Sequence, residues 1–279
     1  MPFADRKLAE RLEAAEAFAC AEFATARSHL FPECGSTSRV IAGATAVFDG
    51  VDAPTTQSFG MGLFEPMTPA AMEEMEVFFL SRGTEPMHEV CPLAGTETLD
   101  LLCARGYRPF EISNVLYRSV EREESRYADG VTTRQASEDE AELWTNLSTR
   151  GWTHEHPDLK DFVQEMGTVV FARRGGACFL AELDGQPGAA GALSIHEGVA
   201  LFAGAATVPE CRRRGLQAAL LAERMRYARA SGCDLAMMVA EAGSLSQRNA
   251  ERQGFRVAYT RLKWKVSEIR CGSRSVSLL

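Results

Sequence analysis

The sequence predicts an α/β chain, of the α+β kind, built from two tandem units of similar design. Three observations carry that prediction. Helical and strand-like periodicities alternate along all 279 residues, part of the second half repeats the element order of the first, and a charged, apolar-poor segment separates them. With 46% hydrophobic and 24% charged residues, a chain of this length has ample material for a core.

The first half opens with ADRKLAERLEAAEAFACAEFATARS (4–28), whose apolar residues recur at helical spacing. Two strand-like runs follow, SRVIAGATAVF (38–48) and TTQSFGMGLF (55–64). After Thr68-Pro69, MEEMEVFFLSRG (72–83) reads as a helix with an acidic first turn and a stop at Gly83. HEVCPL (88–93) is a short strand, ETLDLLCARG (97–106) a helix and EISNVLYRSV (111–120) a strand. EREESRYADG (121–130) is charged and closed by glycine, the pattern of a linker.

In the second half VTTRQ (131–135) is a strand, and SEDEAELWTNLSTRG (137–151) and DLKDFVQEMGTVVF (158–171) are helices. Residues 178–208 hold three strands, with turns at Asp184-Gly185 and His196-Glu197-Gly198. A helix opens around Arg214-Gly215 and stops at Gly232, its buried face being Ala218, Leu221, Ala222, Met225 and Ala228. LAMMVAE (235–241) is a strand and SQRNAERQG (246–254) a helix. FRVAYTRLKWKV (255–266) alternates, with Ala258, Thr260, Leu262, Trp264 and Val266 on one face.

The halves correspond residue by residue over one stretch. PMHEVCPLAGTETLDLLCARGYR (86–108) aligns without gaps on DLAMMVAEAGSLSQRNAERQGFR (234–256), setting Gly95 on Gly243, Gly106 on Gly254 and Tyr107 on Phe255. Each copy is strand, glycine turn, short helix, glycine, aromatic, strand. An internal duplication follows.

Composition excludes several classes. A formal net charge of -8 argues against a general nucleic-acid binder. The eight cysteines show no C-x-x-C pair and read as reduced, mostly buried thiols of a cytoplasmic protein. The N-terminus lacks the apolar core of a signal peptide, and no stretch approaches the ~20 apolar residues of a membrane span. The expectation is a soluble protein with no nucleic-acid, membrane or metal partner and with room for a homodimer.

One local conflict points to chemistry. Arg212, Arg213 and Arg214 precede Gly215 at the start of a helix, so three cations sit beside the positive end of its dipole. The arrangement is unfavourable unless an anion lies there. Pro209 turns the chain after the strand ending Ala206-Thr207-Val208, and Gly215 admits close approach to the unpaired backbone N–H groups. A phosphate would take those amides, the helix field and a guanidinium fork together.

These residues resemble the GNAT superfamily of N-acetyltransferases, whose motif is Arg/Gln-x-x-Gly-x-Gly/Ala. Here it reads Arg212-Arg213-Arg214-Gly215-Leu216-Gln217, with Gln217 departing from the last position, and the Asn249 helix followed by Gly254-Phe255 matches a second motif. The resemblance covers about residues 130–267. It implies two tandem GNAT-like domains, each a mixed, mostly antiparallel twisted sheet flanked by helices. The implied units are 1–120, a linker 121–130, 131–267 with the working site, and a tail 268–279.

By the same resemblance, the cofactor is acetyl-CoA. Ala206, Thr207 and Val208 would pair with its pantetheine arm, on a strand that Gly204 bulges. The amides of Arg213, Arg214, Gly215, Leu216, Gln217 and Ala218 would hold its pyrophosphate, and Ser246 and Asn249 would face it from the later helix. The superfamily's tyrosine position is Ala250 here, so Tyr259 stands in as the acid. Glu241, at the carboxyl end of its strand, is the first choice of base and His196 the second. His154 and His156 line the acceptor region or the surface. The implied activity is acetyl transfer to a primary amine of a small molecule, with a non-catalytic acyl-CoA sensor as the alternative. In the first half GLFEPMTPAAMEE (62–74) replaces the arginine cradle with prolines and acids, so that copy is expected to have lost cofactor binding.

Overall fold

A computed structural model describes residues 2–266 except 52, 122–126, 155, 156, 158 and 159. Most of the expected linker's centre, the tail and His156 lie outside the described residues. The first half contains α1 (Arg6–Leu30), β1 (Thr37–Ile41), β2 (Ala44–Phe48), β3 (Gln57–Phe59), α2 (Pro69–Leu80), β4 (Met87–Val90), α3 (Thr96–Ala104) and β5 (Tyr107–Ser119). The second contains β6 (Val131–Gln135), α4 (Ala141–Thr153), α5 (Lys160–Ala172), β7 (Gly176–Leu183), β8 (Gln186–His196), β9 (Val199–Thr207), α6 (Leu216–Ala230), β10 (Leu235–Glu241), α7 (Leu245–Arg252) and β11 (Arg256–Val266).

Three local expectations change. The run 38–48 is a hairpin, because Ala42 and Gly43 both take positive φ (45° and 70°) and reverse the chain. The run 55–64 stops being a strand after Phe59, where Gly60 and Gly62 (φ 75° and 70°) turn it. Helix α2 starts at Pro69, with the Thr68 side chain accepting the Ala71 amide, so Glu73 and Glu74 fall beyond its first turn.

The eleven strands of the described residues form one sheet in the order β1-β2-β3-β4-β11-β5-β10-β9-β8-β7-β6. The expected boundary at 120–131 divides the chain but not the sheet, since the halves exchange their last strands. β11 lies between β4 and β5, and β5 lies between β11 and β10. Each exchanged strand thereby pairs along both edges over part of its length, β11 with β4 at Leu262–Lys265 and β5 with β10 at Ser113–Ser119. The exchange is two-fold symmetric about the pair Ser113↔Arg261, and the bulges in this ladder fall at Phe110 and Ala258. Those two residues correspond under the same alignment that sets Gly95 on Gly243.

Helix α1 belongs to the first half but packs on both. Leu8, Leu12 and Ala15 share an apolar cluster with Met61 and Leu63 of the first half and with Val199, Leu201 and Met237 of the second. Arg11 pairs with Asp234, and Arg174 with Glu22 at 2.7 Å. Beneath α1 the fully buried Arg261 of β11 meets Glu13 (3.2 Å), Glu16 (2.7 Å) and Glu89. Burial pushes the Glu13 carboxyl up, and the Glu89 carboxyl up to about 7, against the pull of Arg261. These glutamates change the face of β11. Tyr259 and Arg261 are buried while Thr260 is exposed, because the bulge at Ala258 and a polar layer under α1 override the apolar alternation.

Candidate functional site

The site begins where two parallel strands part. β9 and β10 pair only from Val199↔Leu235 to Leu201↔Met237, and their remaining residues diverge. On the other edge of β9, Gly204 and Ala205 oppose the single residue Gly191, a bulge in which Gly204 takes φ 63°. Past the bulge Val208 N–H donates to Gly188 C=O (3.0 Å). By antiparallel alternation Thr207 then turns its backbone away from β8 and into the gap. The expected cofactor role of Val208 is corrected on this ground. Its amide is taken, and its side chain packs with Trp144 and Leu147. Ala206, paired with Ala190, likewise faces β8 with its backbone.

Helix α4 closes over the end of β9. A Cβ on Gly151 would come within 2.7 Å of Ala206 Cβ and 3.1 Å of Thr207 N, so only glycine fits this crossing. Arg212 secures the contact: its Nη2 donates to Gly151 C=O (3.2 Å) and its Nε to Thr207 C=O (3.4 Å). Sequence reasoning missed Gly151, although a glycine inside a helical pattern is the available signal for close backbone approach. Arg212 is thus an anchor of the loop, while Arg213 and Arg214 are exposed beyond it.

The loop ends in a cradle of donors. Arg213 and Gly215 take φ of 61° and 89°, and the first helical bond of α6 runs from Ala219 N–H to Gly215 C=O at 3.0 Å. Among the described residues no backbone acceptor meets the six amides from Arg213 to Ala218. Leu216 buries its side chain in the core, and Ala218, expected on the buried face, is exposed beside the cradle. The side chain of Gln217, at the position that departs from the motif, donates from Nε2 to Thr207 Oγ1 (2.9 Å), joining the helix start to the free strand end. Six amides, a helix N-terminus and two exposed guanidinium groups suit a diphosphate.

The opposite wall is β10 and α7. Glu241 is exposed at the carboxyl end of β10, past its last parallel pair, and stands opposite Ser113 of β5. Ser244 caps α7 by accepting the Gln247 amide, and Ser246 and Asn249 are exposed on that helix. Ala250 is buried.

Three expected residues stand elsewhere. Tyr259 is buried under α1, its hydroxyl donating to Glu13 at 2.8 Å, and burial beside that carboxylate raises its pKa well above the usual tyrosine value. It is not in the gap, because β5 lies between β11 and β10. His196 stacks on Phe18 (centroids 4.4 Å apart) at the amino end of β9, opposite the gap. His154 is exposed at the end of α4, near Glu210. No group of three metal-ligating side chains is found among the described residues, and no described helix is long and apolar enough to cross a membrane.

The Acetyltransferase (GNAT) family profile matches residues 138–255. No curated protein matches the chain in sequence. Among solved structures, a GCN5-related N-acetyltransferase from Kribbella flavida is 20% identical with a TM-score of 0.67, over 92% of this chain and 95% of that one. A protein of unknown function from Staphylococcus epidermidis is 10% identical (TM-score 0.58; 86% and 97% covered). A tandem GNAT protein from the clavulanic acid biosynthesis pathway is 13% identical (TM-score 0.58; 82% and 80% covered). The parted strands and the amide cradle lie inside the segment that matches the acetyltransferase (GNAT) family profile, residues 138–255, and the fold likeness extends over both halves, to a tandem GNAT protein among others.

Proposed function

We propose that the chain is an acetyl-CoA-dependent N-acetyltransferase, with acetyl-CoA in the second half and a primary amine of a small molecule as acceptor. One observation carries the reading: parted parallel strands lead into a loop whose six amides at a helix N-terminus meet no backbone acceptor among the described residues. The residues fit the cofactor. Amides of Arg213 to Ala218 hold the pyrophosphate, Thr207 pairs with the pantetheine arm and its N–H polarises the thioester carbonyl, and Ser246 and Asn249 flank the cofactor. Glu241 takes the proton of the ammonium group, and the freed amine attacks the carbonyl carbon. The carbon–sulfur bond breaks, the nitrogen gives up its second proton to solvent, and the thiolate takes a proton from solvent. Tyr259 has no part. The first half binds no cofactor in this reading.

The sensor reading keeps one observation in its favour: with Tyr259 buried and Ala250 in the tyrosine position, neither expected position offers the leaving thiolate an acid. Calorimetry with acetyl-CoA tests the site first. Ala218→Glu sets a carboxylate among the amides at a helical position that favours acids, and Gly215→Glu adds strain because Gly215 has positive φ. Ala218→Glu is expected to weaken acetyl-CoA about 100-fold, near 3 kcal/mol, with unchanged Tm. No binding by the natural protein would sink the reading. Binding without CoA release across a panel of amines would leave the sensor.

A further inference from the structure

Helix α7 carries Ser246 and Asn249 toward the cofactor side, yet it is poorly held by its own packing. Of its eight residues only Ala250 is buried. Its position therefore depends on links at its ends, and both come from β5, a strand of the first half. At the amino end, Asn114 Nδ2 donates to Gln247 Oε1 (3.0 Å), which also accepts the Gly243 amide (2.8 Å). Asn114 is itself fixed, its Oδ1 accepting from Thr260 Oγ1 at 2.7 Å while its backbone pairs with Ala240 and Thr260. At the carboxyl end, Arg118 Nη1 donates to Gln253 C=O (2.7 Å), and its guanidinium lies 5.8 Å from the Phe255 ring centroid. Both side chains are over nine-tenths buried.

The spacing suits the task. Residues i and i+4 of a strand share a face and stand about 13 Å apart, and an eight-residue helix is about 12 Å long. The corresponding residues of the other exchanged strand, β11, are Leu262 and Val266, which join an apolar cluster with Leu99 and Leu102 of α3. The polar pair occurs only on the side of the molecule with the open cradle. We infer that Asn114 and Arg118 are positioning residues through which the first half sets α7 in the acetyl-CoA site of the second. The cofactor part of this inference rests on the function proposed above.

The test pairs acetyl-CoA calorimetry with amide hydrogen exchange on the full chain. Asn114→Leu removes the donor to Gln247. It is expected to raise the acetyl-CoA Kd roughly tenfold, the size of one well-placed hydrogen bond, and to speed Gly243 exchange at least tenfold, with the Leu235–Met237 amides unchanged. Arg118→Met is expected to loosen Gln253 and Gly254 with a similar loss of affinity. Leu262→Ala, the mirror position, lowers Tm but leaves Kd within twofold. Faster Gly243 exchange with unchanged Kd would overturn the inference, as would unchanged exchange. If the natural protein fails to bind acetyl-CoA, the proposed function falls, while Gly243 exchange still reads whether β5 holds α7.

Discussion

The gap between β3 and β4 in the first half and the gap between β9 and β10 in the second use the same backbone device. β3 and β4 also run parallel for only a few residues, Ser58↔His88 and Phe59↔Glu89, before a glycine turn and a helix start. In the first half that space is core: Phe59, Met61 and Leu63 have no exposed surface. Thr98, which corresponds to Ser246, stands so near that a Cβ on Gly62 would lie 1.9 Å from its Oγ1. The donors are also consumed, since Thr68 accepts the Ala71 amide and Pro69 has none. The loop carbonyls of Gly62 and Leu63 accept from Arg6. In the second half the amides of the equivalent loop meet no backbone acceptor among the described residues, and its small residues Gly215 and Ala218 are exposed. A parted strand pair is thus neither a site nor a core by itself; the side chains and caps that follow it decide.

Substitutions in the two gaps should pull the halves apart. Glu241→Gln is expected to lower kcat/KM for the amine by roughly 10²- to 10⁴-fold, the usual yield of a positioned base, with acetyl-CoA Kd unchanged. Full activity in that variant would remove Glu241 from the mechanism. On the other side, Leu63→Ala should cost about 2–5 kcal/mol in denaturant unfolding, through lost burial and the cavity left, and leave acetyl-CoA affinity within twofold. A large loss of affinity there would mean that the first half does bind cofactor. The smallest effect belongs to Tyr259→Phe. Losing its bond to Glu13 should cost about 1 kcal/mol of stability, while the pH profile of kcat stays in place. A shifted alkaline limb would restore Tyr259 as the acid.

Much of this molecule is legible in local pattern. β6 and β10 occupy the expected 131–135 and 235–241, because short runs bounded by glycine or charge admit little else. The loop at Arg212–Gly215 announces itself through an electrostatic conflict visible in four letters. Other features have no local signal. Alternation in 255–266 marks a strand but cannot reveal that β11 crosses to pair with β4, nor that a glutamate-bearing helix will make Tyr259 and Arg261 its buried face. The roles of Asn114 and Gln247 are equally hidden, since they lie far apart in the chain and meet only after the exchange.

From the sequence alone, then, came the tandem arrangement, the order of elements and the donor-rich loop at a helix start, because periodicity, glycine turns and charge at a helix start act over a few residues. Tertiary structure decided which strand each half keeps, where the gap stays open, and which of three arginines is an anchor. Those outcomes depend on which distant backbone edges pair, and on how closely Gly151 lets one helix approach the free end of β9.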